Sequence, residues 1–234
     1  MRTLVCVPCR TQVDTDFMTS ILRIERVKDT HFSFLQGALV YDSRNAFAAN
    51  AITQEYDRLM FIDSDMVFQP DVLKRLSADM DTGIDYVSAL CFSRKPPIKP
   101  MIYTRCDIRT MEDGTPCQDT EHYYDYPQDS LFRIQGSGTG CVMISVPVLK
   151  AVWDQFGPPF MPTQVMGEDL AFCYRLNQLH IPMYCDSAVK LGHIGQAIFD
   201  ENVYLNQRQA EHIAHNLHWP CPGETEKAEG EWHE

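Results

Sequence analysis

The first ninety or so residues most constrain what this chain can become, because short apolar runs alternate there with helical segments. Residues 4–7, 31–35, 58–62 and 86–91 read as strands. Between them, residues 17–26, the segment opened by Asp42-Ser43-Arg44-Asn45 and running to about Glu55, and residues 70–78 read as helices. Asp14 and Asp16 can cap the first, and Pro70 is tolerated near the first turn of the third. Strands separated by a helix return parallel, since a hairpin cannot join parallel neighbours. The expectation is an α/β fold with a mixed, mostly parallel central sheet flanked by helices.

Beyond that point the pattern changes. Arg94-Lys95-Pro96-Pro97-Ile98-Lys99-Pro100 cannot be helical. Residues 106–130 are polar, acidic and tyrosine-rich, and read as a long surface excursion of the kind that forms lids or binding loops. Strands over 131–134 and 141–146 are joined by Gly136-Ser137-Gly138-Thr139-Gly140. A helix over 147–156, a Pro-rich loop over 157–167 and a helix over 168–179 follow, the last with Leu170, Cys173, Leu176 and Leu179 on one stripe. A short strand over 183–185 precedes a Gly-flanked turn, Lys190-Leu191-Gly192-His193-Ile194-Gly195. Residues 220–234 are expected to form a disordered acidic tail.

At 234 residues and 44% hydrophobic content, the chain suits one sizeable domain, here 1–219. A net charge of −12 argues against nucleic acid as a partner, because phosphate backbones require clustered Lys and Arg. Nine scattered cysteines, an odd number, fit reduced thiols in a cytoplasmic setting. Cys6-x-x-Cys9 has no second pair at zinc spacing and reads as ordinary strand residues. Neither a signal peptide nor a transmembrane segment is expected.

The chemistry centres on Asp63-Ser64-Asp65, at the end of the apolar run 59–62. In extended chain, residues i and i+2 point the same way, and two acids crowded together favour a cation between them. Oxygen ligands suit Mg2+ or Mn2+, which also favour phosphate oxygens. The alternative is a solvated turn that caps the next helix. The carboxyl end of a strand is where open parallel sheets bind ligands. Arg44-Asn45, at a helix start, can grip a phosphate. Gly136–Gly140 can let backbone approach a ligand. Glu168 and Asp169 open a helix, where the dipole alone favours acids, yet a carboxylate there could deprotonate a hydroxyl. His193 could complete a metal shell.

In order, Val7-Pro8, Arg44-Asn45, Asp63-Ser64-Asp65, Gly138-Thr139-Gly140-Cys141, Gly167-Glu168-Asp169-Leu170 and Leu191-Gly192-His193 resemble the GT-A glycosyltransferases, closest to those of family 2 type. The resemblance covers roughly residues 3–200. It implies a GT-A, Rossmann-like fold with a nucleotide-binding half at about 1–95 and an acceptor and metal half at about 96–200. It also implies Mn2+ or Mg2+ on Asp65 and His193, with Asp63 nearer the ribose or a metal-bound water. Pro8, Cys9, Arg10, Arg44 and Ser64 would meet the nucleotide, and Gly138 and Thr139 the sugar and acceptor. Asp169 would be the catalytic base and Glu168 its neighbour.

The expected partners are a nucleoside-diphosphate sugar donor and a glycan, lipid-linked or small-molecule acceptor. The expected reaction is transfer to a hydroxyl with inversion. One departure from the family lies at Phe34-Leu35-Gln36-Gly37, which offers no acid to hold the base. Two other readings compete. Asp63-Ser64-Asp65-Met66-Val67 also fits the nucleophile motif of haloacid-dehalogenase-type phosphatases, although some sixty residues precede it. The second is a non-catalytic nucleotide- or sugar-binding domain.

Overall fold

The computed structural model describes residues 1–37, 39–195 and 198–216. Strands β1 (Thr3–Cys9), β2 (Thr30–Gln36) and β3 (Arg58–Ile62) run parallel, with α1 (Thr15–Arg23) and α2 (Val40–Thr53) as crossovers. There follow β4 (Met66–Val67), α3 (Val72–Asp81) and β5 (Tyr86–Leu90), then a hairpin of β6 (Ile102–Thr110) and β7 (Pro116–His122). Next come β8 (Leu131–Ile134), β9 (Gly136–Ser137), β10 (Cys141–Ser145), α4 (Val146–Phe156) and α5 (Glu168–Gln178). The chain continues through β11 (Met183–Lys190), β12 (Gly192–Ile194), β13 (Ile198–Phe199) and α6 (Glu201–Asn216). The central sheet has seven strands in the order β2-β1-β3-β10-β5-β11-β8, and only β10 and β8 run against the rest.

Every residue of β3, β5 and β10 is buried, which requires cover on both faces. Period-two alternation divides the cover. Leu4, Cys6, Leu59 and Phe61 face one core, shared with residues of α2, α4 and α5. Val5, Val7, Met60 and Ile62 face the other, shared with residues of α1 and α3. Each such side chain withdrawn from water contributes about 1.5–3 kcal/mol. Asp14 caps α1 by accepting the Asp16 N–H at 2.8 Å. Gly157, at φ 79°, ends α4 in a conformation that a side chain would strain.

Several expectations need correcting. Residues 106–130 are not simply loop, because they contain most of the β6–β7 hairpin. Its turn spans Met111 to Gly114, closed by the Gly114 N–H donating to the Met111 carbonyl at 2.9 Å, with Gly114 at φ 85°. Asp63-Ser64-Asp65 lies beyond the end of β3, in a turn closed by Met66 N–H donating to the Asp63 carbonyl at 3.2 Å, so the extended-chain premise does not apply. α2 begins at Val40, which places Arg44 inside the helix rather than at its start. His193 sits on β12, paired with β4, not in a turn. The strand expected at 183–185 runs on to Lys190, and α6 was not anticipated. The acidic tail at 220–234 lies outside the described residues.

Candidate active site

The site forms where the sheet reverses direction. β10 enters antiparallel between β3 and β5, so the loop preceding it lies against the turn that follows β3. The Asp63 N–H donates to the Gly140 carbonyl at 2.9 Å, which fixes Gly138-Thr139-Gly140 beside the acidic turn. A side chain at Gly140 would run into the Met66 methyl. On the other side, β12 pairs with β4, and the Ile194 N–H donates to the Asp65 carbonyl at 2.7 Å. Backbone pairing thus brings His193 across 128 positions of sequence to Asp65, with Nε2 to Oδ2 at 3.2 Å.

The imidazole is held from behind. Its Nδ1 lies 2.9 Å from the Phe92 carbonyl, which only accepts, so Nδ1 carries a hydrogen. Nε2 of the neutral ring is then an acceptor facing a carboxylate oxygen, a contact that needs a proton or a metal ion between the two. Burial works against the charged ring, but the Asp65 carboxylate and the Phe92 carbonyl outweigh it, raising the His193 pKa. Burial pushes Asp65 upward, while His193 and Arg94 prevail and lower it. Arg94 Nη1 approaches the same Asp65 oxygen at 2.7 Å.

Asp63 is differently engaged. Arg44 Nη2 donates to its two oxygens at 2.8 and 3.0 Å. The Arg44 side chain is only 2% exposed, lies with Cζ 5.1 Å from the centre of the Phe61 ring, and has Nε 3.7 Å from Glu168 Oε1. Its Nε and Nη1 make no hydrogen bond among the described residues. Burial raises the Asp63 pKa, and Arg44 only partly offsets this.

Two adjoining cavities share Arg44, Asp63 and Glu168 in their walls. The larger, about 720 Å³, is lined by Pro8, Cys9, Arg10, Ser64, Asp65 and Arg94, together with the start of α2 from Val40 to Arg44. The smaller, about 120 Å³, is lined by Gly138, Thr139, Gly140, Asp169, His193 and Phe92. Each residue to which the family resemblance assigns a role therefore borders one cavity or the other, whereas Asn45, Gly136 and Ser137 line neither. Glu168 and Asp169 occupy the first turn of α5, as expected. Burial and the neighbouring Glu168 raise the Asp169 pKa from 3.8 to about 6. Gln12, Tyr41 and Met101 line the cavities without having been singled out, and Asp14, expected only as a helix cap, lines the larger. The Phe92 carbonyl, being backbone, leaves no signal in sequence.

No group of three or more His, Cys, Asp or Glu suited to a metal exists among the described residues. Asp63 is taken by Arg44, leaving Asp65 and His193. Mg2+-type ions are commonly held by one or two protein ligands plus waters and phosphates. Adjacent ligands of an octahedral ion at about 2.1 Å stand roughly 3 Å apart, close to the 3.2 Å observed. The pair fits an ion whose remaining ligands are waters or phosphate oxygens.

No family model matches the sequence, and a search of curated proteins finds no match. Among solved structures, the crystal structure of A197 from STIV superposes with a TM-score of 0.61 at 20% identity, over 83% of this chain and 86% of that one. The crystal structure of GalNAc-T7 with UDP, GalNAc and Mn2+ superposes with a TM-score of 0.56 at 12% identity. That match covers 83% of this chain and 44% of GalNAc-T7, so this chain spans less than half of its length. Likenesses at such identity are likenesses of fold, and the fold is GT-A, in a single domain. No helix among the described residues is long and apolar enough to cross a membrane.

Proposed function

We propose that this protein is a metal-dependent glycosyltransferase that moves a sugar from a nucleoside-diphosphate sugar to an acceptor hydroxyl. The supporting observation is the meeting of Asp65 with His193 at the boundary between a nucleotide-sized cavity and a smaller one that contains Asp169. GalNAc-T7, of the same fold, was crystallised with UDP, GalNAc and Mn2+. The haloacid-dehalogenase alternative loses its fold premise, and Asp63, its nucleophile, is locked onto Arg44.

In this reading the larger cavity takes the nucleotide against Pro8, Cys9, Arg10 and Ser64. It belongs mainly to the nucleotide-binding half, about 1–95, and the acceptor half runs over about 96–200. Asp65 and His193 would hold Mn2+ or Mg2+, which when bound supplies neutralising charge for the departing diphosphate. Gly138 and Thr139 bound the pocket for sugar and acceptor, a glycan, a lipid-linked molecule or a small molecule. Asp169, ionised at neutral pH yet more basic than an ordinary carboxylate, accepts the acceptor hydroxyl proton while that oxygen attacks the anomeric carbon. Attack opposite the leaving group inverts the configuration. Glu168 stays close to Arg44 and supports Asp169 through its charge. Eight free thiols among the described residues agree with a reducing, cytoplasmic compartment.

The test is to incubate the protein with a panel of uridine, guanosine and cytidine diphosphate sugars and Mn2+, following release of nucleoside diphosphate. Release that requires metal and Asp169 supports the reading. No release with any donor, together with no metal-dependent nucleotide binding, refutes it.

A further inference from the structure

Asp65 Oδ2 already has two nitrogen neighbours, Arg94 Nη1 at 2.7 Å and His193 Nε2 at 3.2 Å. A carboxylate oxygen has two lone-pair directions, so an ion held between this oxygen and His193 takes the one facing the ring and stands beside the guanidinium on the other, and the two cations compete for one carboxylate. Arg94 is exposed and directly follows Ser93, in a loop whose base is pinned by Ser93 N–H to the Lys99 carbonyl at 2.9 Å and Lys99 N–H to Ser93 Oγ at 3.0 Å. The Arg94 side chain is 51% exposed and borders the larger cavity, where a diphosphate bound through the metal would lie.

We propose that Arg94 is a stand-in cation: it neutralises Asp65 in the metal-free protein, yields that oxygen to the incoming metal, and turns its fork to the diphosphate. This rests on the metal-and-diphosphate reading above and adds an ordering device to it. A guanidinium and a divalent ion repel each other, so metal alone must overcome the Arg94 contact. Metal arriving with a diphosphate gives the displaced guanidinium a new anionic partner. The exchange therefore disfavours futile metal loading and favours the metal–donor pair.

The experiment is calorimetric titration of the full chain and two variants, Arg94→Gln and Lys95→Gln, with Mn2+ alone and then with inorganic pyrophosphate at saturating Mn2+. Pyrophosphate is the part shared by every nucleoside-diphosphate donor. Lys95 is exposed on the same loop, so its variant reports the effect of removing one charge nearby. Arg94→Gln is expected to tighten binding of Mn2+ alone about two- to fivefold, the size of a half-exposed ion pair. It is expected to weaken pyrophosphate binding at least about fivefold, while Lys95→Gln changes both by less than about twofold. Wild-type protein that binds Mn2+ with pyrophosphate, while the two variants change in parallel or Arg94→Gln fails to tighten Mn2+, overturns the role of Arg94 alone. Wild-type protein that binds neither overturns the parent reading with it.

Discussion

Replacing Asp169 by Asn should make the protein more stable and less active, and the stability gain should depend on pH. The carboxyl sits in the wall of the smaller cavity, crowded by Glu168, and its pKa is raised from 3.8 to about 6. A folded-state pKa above the unfolded value means that the native state binds the proton more tightly. Stability from this group is thus greatest at low pH and is lost as pH rises from about 4 through about 6. The whole rise corresponds to roughly 3 kcal/mol of destabilisation at pH 8, shrinking to about 0.5 kcal/mol at pH 4. Asn removes that cost but forfeits a favourable charge at the start of α5, worth about 0.3–1 kcal/mol. The net expectation is about 2–3 kcal/mol of added stability at pH 8 and close to none at pH 4. In a chain of this length, that gain raises Tm by about 4–12 °C at pH 8. Scanning calorimetry of both proteins at the two pH values measures it. The same variant should lose about 10²–10⁴-fold in kcat, because the amide cannot accept a proton. An Asn variant no more stable than the parent at pH 8, or equally stabilised at both pH values, would refute the claim of a crowded, raised carboxyl.

Other expectations are more brief. For turnover, the kcat profile should keep its plateau above an apparent pKa of about 6 and decline below it, as Asp169 takes up its proton; a profile flat down to pH 4.5 contradicts Asp169 as base. Arg44→Met strands the Asp63 carboxylate beside a buried apolar chain, costing about 3–5 kcal/mol, or roughly 6–20 °C in Tm. Adding Asp63→Asn should restore more than half of that loss in thermal melts, whereas additive losses would show that the two residues do not act as a pair. His193→Ala should weaken Mn2+-dependent pyrophosphate binding at least about tenfold, and unchanged calorimetric affinity would exclude the ring as a ligand.

The parallel half of the fold was legible because its determinants are local. Strands β1 and β3 carry the unbroken apolar runs Leu4–Val7 and Leu59–Ile62, and Asp14 is a recognisable cap for α1. The β6–β7 hairpin was not, because it stands outside the main sheet, one face of β6 carries Arg105, Asp107 and Arg109, and the other mixes Ile102, Cys106 and Ile108 with Thr104 and Thr110. Its Asp113-Gly114 turn was the one available signal. α6 is polar enough to lack a strong stripe, yet Tyr204 is buried against Phe92, with ring centres 4.9 Å apart. Among site residues, Asp169 could be placed from its helix start. Arg44 was expected at a helix start, and its place inside α2, with the guanidinium between Phe61, Asp63 and Glu168, depends on contacts distant in sequence.

What sequence could not give is the reason that residues so far apart belong together, and one antiparallel strand supplies it. Were β10 parallel to β3, its amino end, and with it Gly138–Gly140, would lie at the opposite edge of the sheet from Asp63. Because β10 runs backward, Cys141 pairs with Ile62, and the glycine loop arrives at the carboxyl ends of β3 and β5. The same edge receives β12 through its pairing with β4, which delivers His193 to Asp65. It also receives the amino end of α5, close enough that a side chain on Gly138 would stand 3.7 Å from Asp169 Oδ2. Gly138–Gly140 is thereby held to the acidic turn at one end, through the Asp63 N–H, and lies against Asp169 at the other. In the proposed function, a sugar held over that loop would lose its leaving group on the side of the acidic turn and be attacked from the side of Asp169, the opposed placement that inversion requires.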